Sequence, residues 1–212
     1  MSELFGKMAE SLIAGKVDEV VNLTQEAVDG GLSPQDILEQ GLLAGMDVVG
    51  KRFKANEMFI PEVLRCAKCM HGSMKILRPL LVETGVKTAG TLVLGTVKGD
   101  LHDIGKNLVG MMFEGAGFEV VDVGIDKEPQ AFVDALQEHK ASLFGMSALL
   151  TTTMPKMAET INAIKEAGIR DQVKIMVGGA PVTEDFAKEI GADGYASNAA
   201  SAVDKGKELL GL

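Results

Sequence analysis

From Thr91 onward, short apolar runs alternate with stretches of helical periodicity, and this alternation constrains the fold more than any other feature of the chain. The runs are Thr91–Val97, Glu119–Val123, Ser142–Met146, Lys174–Val177 and the neighbourhood of Gly194–Ala196. Helical patterns at about 106–116, 129–139, 155–167, 184–190 and 199–210 follow them in turn. A strand buried on both faces of a parallel sheet loses polar alternation and reads as one apolar stretch, as Thr91–Val97 does. Repeated strand–helix units therefore predict an α/β domain over 89–212, with a parallel sheet covered on both faces.

Five strands point to a flavodoxin-like, Rossmann-like sheet in the order 2-1-3-4-5. In that order the loops after strands one, three and four open on the same carboxyl edge. They carry Lys98–Gly105, Ser147–Thr153 and Gly178–Ala180. A histidine loop, a hydroxyl-rich loop and a glycine pair thus converge on one crevice, the default place for a ligand. His102 sits in the first of these loops, with Asp100 two residues before it and Gly105 three after. Two phosphate-binding patterns fail here. G-x-x-x-x-G-K-S/T would need glycine where Asp100 stands and a hydroxyl residue where Asn107 stands, and no G-x-G-x-x-G follows the strand.

Residues 1 to about 88 carry helical periodicity instead. Leu4–Ala14 and Val17–Val28 are short segments, the second stopped by Gly30-Gly31. Ser33-Pro34-Gln35-Asp36 supplies an N-cap, a proline at the first helical position and an acid in the first turn, for a helix running to about Val49. Pro61 opens the next, where Val63, Ala67, Met70, Met74, Leu77 and Leu81 step along one face. Four such helices can bury their stripes as a small bundle over 1–88. Thr84–Gly90 reads as the connection between the two domains and as a hinge.

The first-strand loop and its companions resemble a known family. Asp100-Leu101-His102-Asp103-Ile104-Gly105 matches the D-x-H-x-x-G motif of cobalamin-binding domains. Ser147-Ala148-Leu149 is similar to their S-x-L element and Gly178-Gly179 to their glycine pair, in the same order. Met58-Phe59-Ile60-Pro61-Glu62-Val63 resembles the helical cap that precedes such domains in methionine synthase and in small corrinoid proteins of methylamine, methanol and quaternary-amine methyltransferase systems. The resemblance covers nearly the whole chain.

That resemblance implies a site. His102 becomes the lower axial ligand of a corrinoid cobalt, with Asp100 as its hydrogen-bond partner and a hydroxyl residue completing the relay. Thr153 occupies the relay position, where methionine synthase has serine. Gly99, Asp103, Ile104, Gly105, Ser147, Leu149, Thr151, Gly178 and Gly179 are expected around the cofactor, and Phe59, Val63 and Met70 against its upper face. The implied function is methyl carriage on cobalamin, cycling between methylcobalamin and cobalt(I). A substrate-specific methyltransferase would load the methyl group from a methylated amine or methanol. An acceptor methyltransferase would pass it to a folate or thiol, with a reductive activase as a further partner. The chain has no barrel-sized segment for either substrate, so it is expected to be non-catalytic alone. Other readings are the small subunit of a cobalamin-dependent radical mutase, a cobalamin-binding sensor, or a bundle and flavodoxin-like domain binding no corrinoid.

Composition excludes several alternatives. A formal charge of -9, with no Lys/Arg-rich segment, argues against nucleic acid and anionic membrane. No apolar run reaches transmembrane length and Met1-Ser2-Glu3-Leu4 does not open a signal peptide, so a cytoplasmic location is expected. Cys66 and Cys69 supply only two of the four ligands a structural zinc needs, and read as reduced thiols in or near a core. His71, one position off the apolar stripe, reads as a surface residue, and His139 as a residue at a helix C-terminus.

Overall fold

In the computed structural model, residues 2–83 and 88–212 are described, without the side chains of Ser2 and Val82. Most of the expected hinge, residues 84–87, lies outside them. The chain divides into two compact units, Met1–Thr88 with Glu114–Gly117, and Ala89–Phe113 with Phe118–Leu212.

The first unit is helical. Helices α1 (Ser2–Ile13) and α2 (Val17–Asp29) precede a longer helical stretch. That stretch opens as α3 (Pro34–Asp36), passes through a π-helical segment at Ile37–Leu43 and continues as α4 (Ala44–Lys54). Ser33 caps it as expected, its side chain accepting from the Asp36 N–H. The π segment is where glycine brings a helix close: a Cβ on Gly41 would lie 2.5 Å from Met8 Sδ on α1. Helix α5 (Ile60–Glu83) starts with Glu62 reaching back to accept the Phe59 N–H at 2.8 Å, half of a capping box. Of its apolar stripe, Val63, Ala67, Met70, Leu77 and Leu81 are buried and Met74 is partly buried. Cys66 and Cys69 are free, buried thiols that donate to the carbonyls of Ile13 and Arg65. Burial pushes the Cys69 thiol up to about 11, so it is protonated at neutral pH.

The second unit is the expected doubly wound sheet. Strands β1 (Thr91–Val97), β2 (Glu119–Lys127), β3 (Leu143–Ser147), β4 (Lys174–Gly178) and β5 (Gly194–Tyr195) are parallel, in the order β2-β1-β3-β4-β5. Helices α6 (Ile104–Gly115), α7 (Pro129–His139), α8 (Pro155–Glu166), α9 (Glu184–Ile190) and α10 (Ala199–Leu210) connect and close it. Alternate strand residues serve opposite faces. Val93, Val97, Phe144, Met146, Ile175 and Val177 pack with Phe132, Met157 and Ile161 of α7 and α8. On the other face, Leu94 lies beside Gly110 of α6, and Leu143 beside Gly206 of α10. Each fully buried side chain of this size contributes about 1.5–3 kcal/mol, so both faces are needed to hold β1.

One strand runs further than its sequence suggests. Strand β2 continues past Val123 to Lys127, because Gly124 at φ 93° lets the backbone kink without ending the pairing. The register against β1 shifts on both sides of Gly95. Beyond that kink, Asp126 adopts a left-handed φ of 54°. This detail aims the end of β2 at the loop after β1.

Candidate functional site

The site begins with where β1 stops. The Asp100 N–H donates to the Val97 carbonyl at 3.2 Å, closing a tight turn whose third residue is Gly99 at φ 80°. A turn with positive φ at that position wants glycine, so Lys98-Gly99-Asp100 is a local instruction to reverse the chain. The turn delivers Asp100 into a fully buried position, two residues before a half-exposed His102.

The Asp100 carboxylate uses both oxygens. Oδ1 accepts the His102 N–H at 3.1 Å and lies 2.7 Å from His102 Nδ1. Oδ2 accepts the Leu149 N–H at 2.7 Å, the Leu150 N–H at 3.3 Å and the Thr153 hydroxyl at 2.7 Å. Burial works to raise this carboxyl, but the donors from Leu149, Thr153 and His102 outweigh it and hold it far below the ordinary carboxylate range. An ionised carboxylate only accepts, so the imidazole proton must reside on Nδ1. Nε2 is then left as a bare nitrogen on a side chain 51% exposed. A neutral imidazole fixed in this way is a prepared ligand for a borderline transition metal.

Sheet register assembles the remaining elements. Thr96 on β1 pairs with Ser147 on β3, which pairs with Gly178 on β4, so they lie in one row across the sheet. The buried Thr96 hydroxyl donates to the His102 carbonyl at 3.0 Å and lies 2.9 Å from Ser147 Oγ. Since Thr96 spends its one proton on His102, Ser147 is the donor of that pair. Gly179, at φ 131°, presses so closely on the β3 loop that a Cβ would fall 1.9 Å from the Ala148 carbonyl oxygen. Beyond it a Cβ on Gly178 would meet only the Ala196 carbonyl, at 3.2 Å, and one on Gly105 would meet open space. The large apolar side chains of Leu101, Ile104, Leu149 and Leu150 on the same two loops are exposed rather than packed. Exposed apolar side chains around a prepared imidazole suit a broad, flat, largely apolar ligand carrying its own metal.

The expected residues divide into groups. Gly99, Asp100, His102, Ser147, Leu149 and Thr153 are brought together, and Gly178 and Gly179 flank them on β4 and its loop. Thr153 keeps its hydroxyl on Asp100 while its methyl group sits 3.6 Å from where a Gly99 Cβ would be, so the extra carbon does not displace the relay geometry. Thr151 is exposed, and Asp103 is exposed with its carboxylate engaged by Asn107. Ile104 opens α6 with its side chain 75% exposed. In the helical unit Phe59 is 66% exposed, whereas Val63 and Met70 are buried, at 0% and 1%.

Three further residues shape the site. Thr96 was readable only as a hydroxyl inside an apolar run. Lys106, whose side chain is 2% exposed, is ion-paired with Asp122 of β2 and donates to Asn107 Oδ1 at 2.7 Å, tying the start of α6 to the sheet. Asp126 accepts the Gly99 N–H at 2.8 Å from beyond the expected end of its strand.

Comparison with known proteins agrees with this geometry. Residues 90–204 match the B12 binding domain family, and residues 4–78 match a second family also described as a B12 binding domain. A corrinoid protein of Desulfitobacterium hafniense (strain Y51) is 44% identical over 211 residues, and the dimethylamine corrinoid protein of Methanosarcina barkeri 45% identical over 210, each match covering 98% of both chains. Among solved structures, a cobalamin-binding protein from Desulfitobacterium hafniense DCB-2 superposes with a TM-score of 0.77 at 32% identity, covering 97% of this chain and 98% of that one. A chain of the methanol:cobalamin methyltransferase complex of Methanosarcina barkeri superposes with a TM-score of 0.88 at 31% identity, covering 99% of this chain and 80% of that one. The family match over 90–204, together with full-length identity above two-fifths, places this chain in the B12-binding corrinoid protein family.

Proposed function

We propose that this protein carries methyl groups on a bound corrinoid, between separate methyltransferase chains. The observation that carries the reading is the 2.7 Å contact of His102 Nδ1 with the buried Asp100 carboxylate, which orients the ring and leaves Nε2 for a metal. A corrinoid supplies the cobalt centre that takes up and gives away the methyl group. The chain's own residues set its ligation and surroundings. His102 would hold the metal from one side, with Asp100 fixing its tautomer and Thr153 and the Leu149 N–H fixing Asp100. Gly178 leaves room for a bulky ligand tail, Gly179 lets the β4 loop close on β3, and Leu101, Ile104, Leu149 and Leu150 offer an apolar bed. On the helical unit, Phe59 and Ile60 are exposed apolar side chains.

Relatives named for dimethylamine and a structural relative in a methanol methyltransferase complex support a methylated amine or methanol as the methyl source. A second methyltransferase would take the group to a folate or thiol acceptor, and a reductive activase would restore the reduced metal. Among the described residues no helix is long and apolar enough to cross a membrane, which fits partners in solution in the cytoplasm.

The experiment is reconstitution with hydroxocobalamin, followed by visible spectra of the wild-type protein and of His102→Ala. Uptake of the corrinoid and a changed spectrum in the variant are expected. A protein that stays colourless, or a variant with an unchanged spectrum, would remove the reading. Offering the reduced holoprotein dimethylamine, monomethylamine, trimethylamine or methanol, each with its methyltransferase, identifies the donor.

A further inference from the structure

We propose that Asp126, at the far end of the edge strand β2, is a positioning residue for the axial ligand, holding the Gly99–Asp100 backbone from outside so that His102 is correctly presented. This inference rests on the reading of His102 as the cobalt ligand.

Asp126 grips the loop at two points. Its Oδ1 accepts the Gly99 N–H at 2.8 Å, and its own backbone N–H donates to the Asp100 carbonyl at 3.1 Å. With the Asp100 N–H already committed to Val97, the Gly99 N–H and both backbone polar groups of Asp100 are hydrogen-bonded. Asp126 makes both contacts with a left-handed backbone at φ 54°. Aspartate and asparagine tolerate that conformation better than other residues with a side chain, and glycine tolerates it freely. A residue held there against its preference is a sign of local purpose. Lys98 Nζ lies 3.4 Å from the same Oδ1 and 3.3 Å from Glu128 Oε1, on the exposed side of the clamp. The Gly99 N–H, aided by Lys98, holds the Asp126 carboxyl below its ordinary value, so the acceptor is charged at neutral pH. The contact matters because Asp100 must place one oxygen 2.7 Å from His102 Nδ1 and the other 2.7 Å from Leu149 N. A small rotation of the turn breaks one bond or the other.

Three variants separate the parts. Asp126→Gly keeps the backbone conformation and removes the acceptor, Asp126→Asn keeps both, and Asp126→Ala removes both. Each is saturated with hydroxocobalamin at fixed pH, and its visible spectrum and cofactor affinity are compared with wild type. Melting of the cofactor-free proteins checks that the fold is retained. For Asp126→Gly and Asp126→Ala we expect a smaller histidine-ligated fraction at saturation and an affinity about 10-fold weaker, as for other groups that orient a metal-bound imidazole. Asp126→Asn should restore the wild-type spectrum. In a His102→Ala background, Asp126→Gly should cause no further loss. Wild-type spectra from Asp126→Gly, an Asn variant as impaired as the glycine one, or an equal loss without His102 would each overturn the inference. If the wild-type protein takes up no corrinoid, the reading of His102 falls first and this inference with it. If His102→Ala shifts the spectrum but Asp126→Gly does not, only the role of Asp126 is lost.

Discussion

His102 Nδ1 and Asp100 Oδ1 lie 2.7 Å apart, while the other oxygen of the same carboxylate is filled by donors from the loop after β3. One buried side chain therefore both chooses the histidine tautomer and locks two loops together. Replacing Asp100 with Asn divides these roles. Either amide orientation points an NH₂ group at existing donors, because every partner is an N–H or O–H. Turned toward His102, the NH₂ can be accommodated at Nδ1 only if Nδ1 gives up its proton to Nε2, the nitrogen proposed to hold the metal. Asp100→Asn should therefore weaken corrinoid affinity about 10–100-fold and give a spectrum resembling that of His102→Ala, although the histidine is still present. Titration of the variant with hydroxocobalamin checks this, and a wild-type spectrum at saturation would refute it.

Thr153 offers a quieter test of the same bond. Its hydroxyl lies 2.7 Å from Asp100 Oδ2 and 2.9 Å from the Leu150 carbonyl, with one proton for both. The charged acceptor should win that proton. Thr153→Val keeps the shape and deletes the donor, so unfolding in urea should show a loss of about 1.5–3 kcal/mol, the range for hydrogen bonds to charged groups. Thr153→Ser should lose well under half of that, because the methyl group only rests near Gly99. Equal losses in the two variants would mean that packing, not the hydroxyl, is what matters.

The depressed Asp100 carboxyl fixes the sign of an acid response. A carboxyl whose folded pKa lies below its unfolded value, about 4, stabilises the fold fully above that value. The contribution fades as pH falls from there toward the folded pKa. The gap in unfolding free energy between wild type and Asp100→Asn should thus be widest near pH 6–7 and shrink below about pH 4. Urea unfolding at pH 7, 5 and 3.5 measures it. A gap that stays constant or widens in acid would show that Asp100 is not held ionised.

Much of this is legible in the sequence, for identifiable reasons. Strand β1 keeps its expected bounds, Thr91–Val97, because burial on both faces leaves an apolar run with sharp ends. Helices α7 and α9 match at Pro129–His139 and Glu184–Ile190, since proline and Thr183 mark their starts. The convergence of the three loops followed from strand order alone. What escaped depended on contacts between distant residues. Gly124 looked like the end of β2, yet it kinks the strand and sends Asp126 to Gly99 across 27 positions of sequence. The π-helical turn at Ile37–Leu43 hinges on Gly41 meeting Met8, which helical periodicity cannot register. Periodicity likewise put Val63 and Met70 on an apolar stripe without distinguishing a core face from a ligand face, and both are buried.

The glycine pair makes a graded prediction. A Cβ on Gly179 would sit 1.9 Å from the Ala148 oxygen and 2.9 Å from its carbon, both backbone atoms of the loop that presents Leu149 to Asp100. Its φ of 131° is also closed to residues with a side chain. Neither obstacle can be relieved by rotating a side chain. The Ala148 N–H already donates to the Gly178 carbonyl at 3.2 Å, so pushing the loop away costs that bond too. At Gly178 the obstacle is one carbonyl oxygen, that of Ala196, at 3.2 Å. Gly179→Ala should therefore destabilise the protein by roughly 3 kcal/mol or more, through clash and strain together. It should also abolish corrinoid uptake. Gly178→Ala should fold with a loss of about 1 kcal/mol, a typical cost for a modest clash, and bind the cofactor more weakly by filling space. Melting and hydroxocobalamin titration on both variants give the order directly. If Gly179→Ala proves as stable as wild type, the β4 loop does not hold the β3 loop in place.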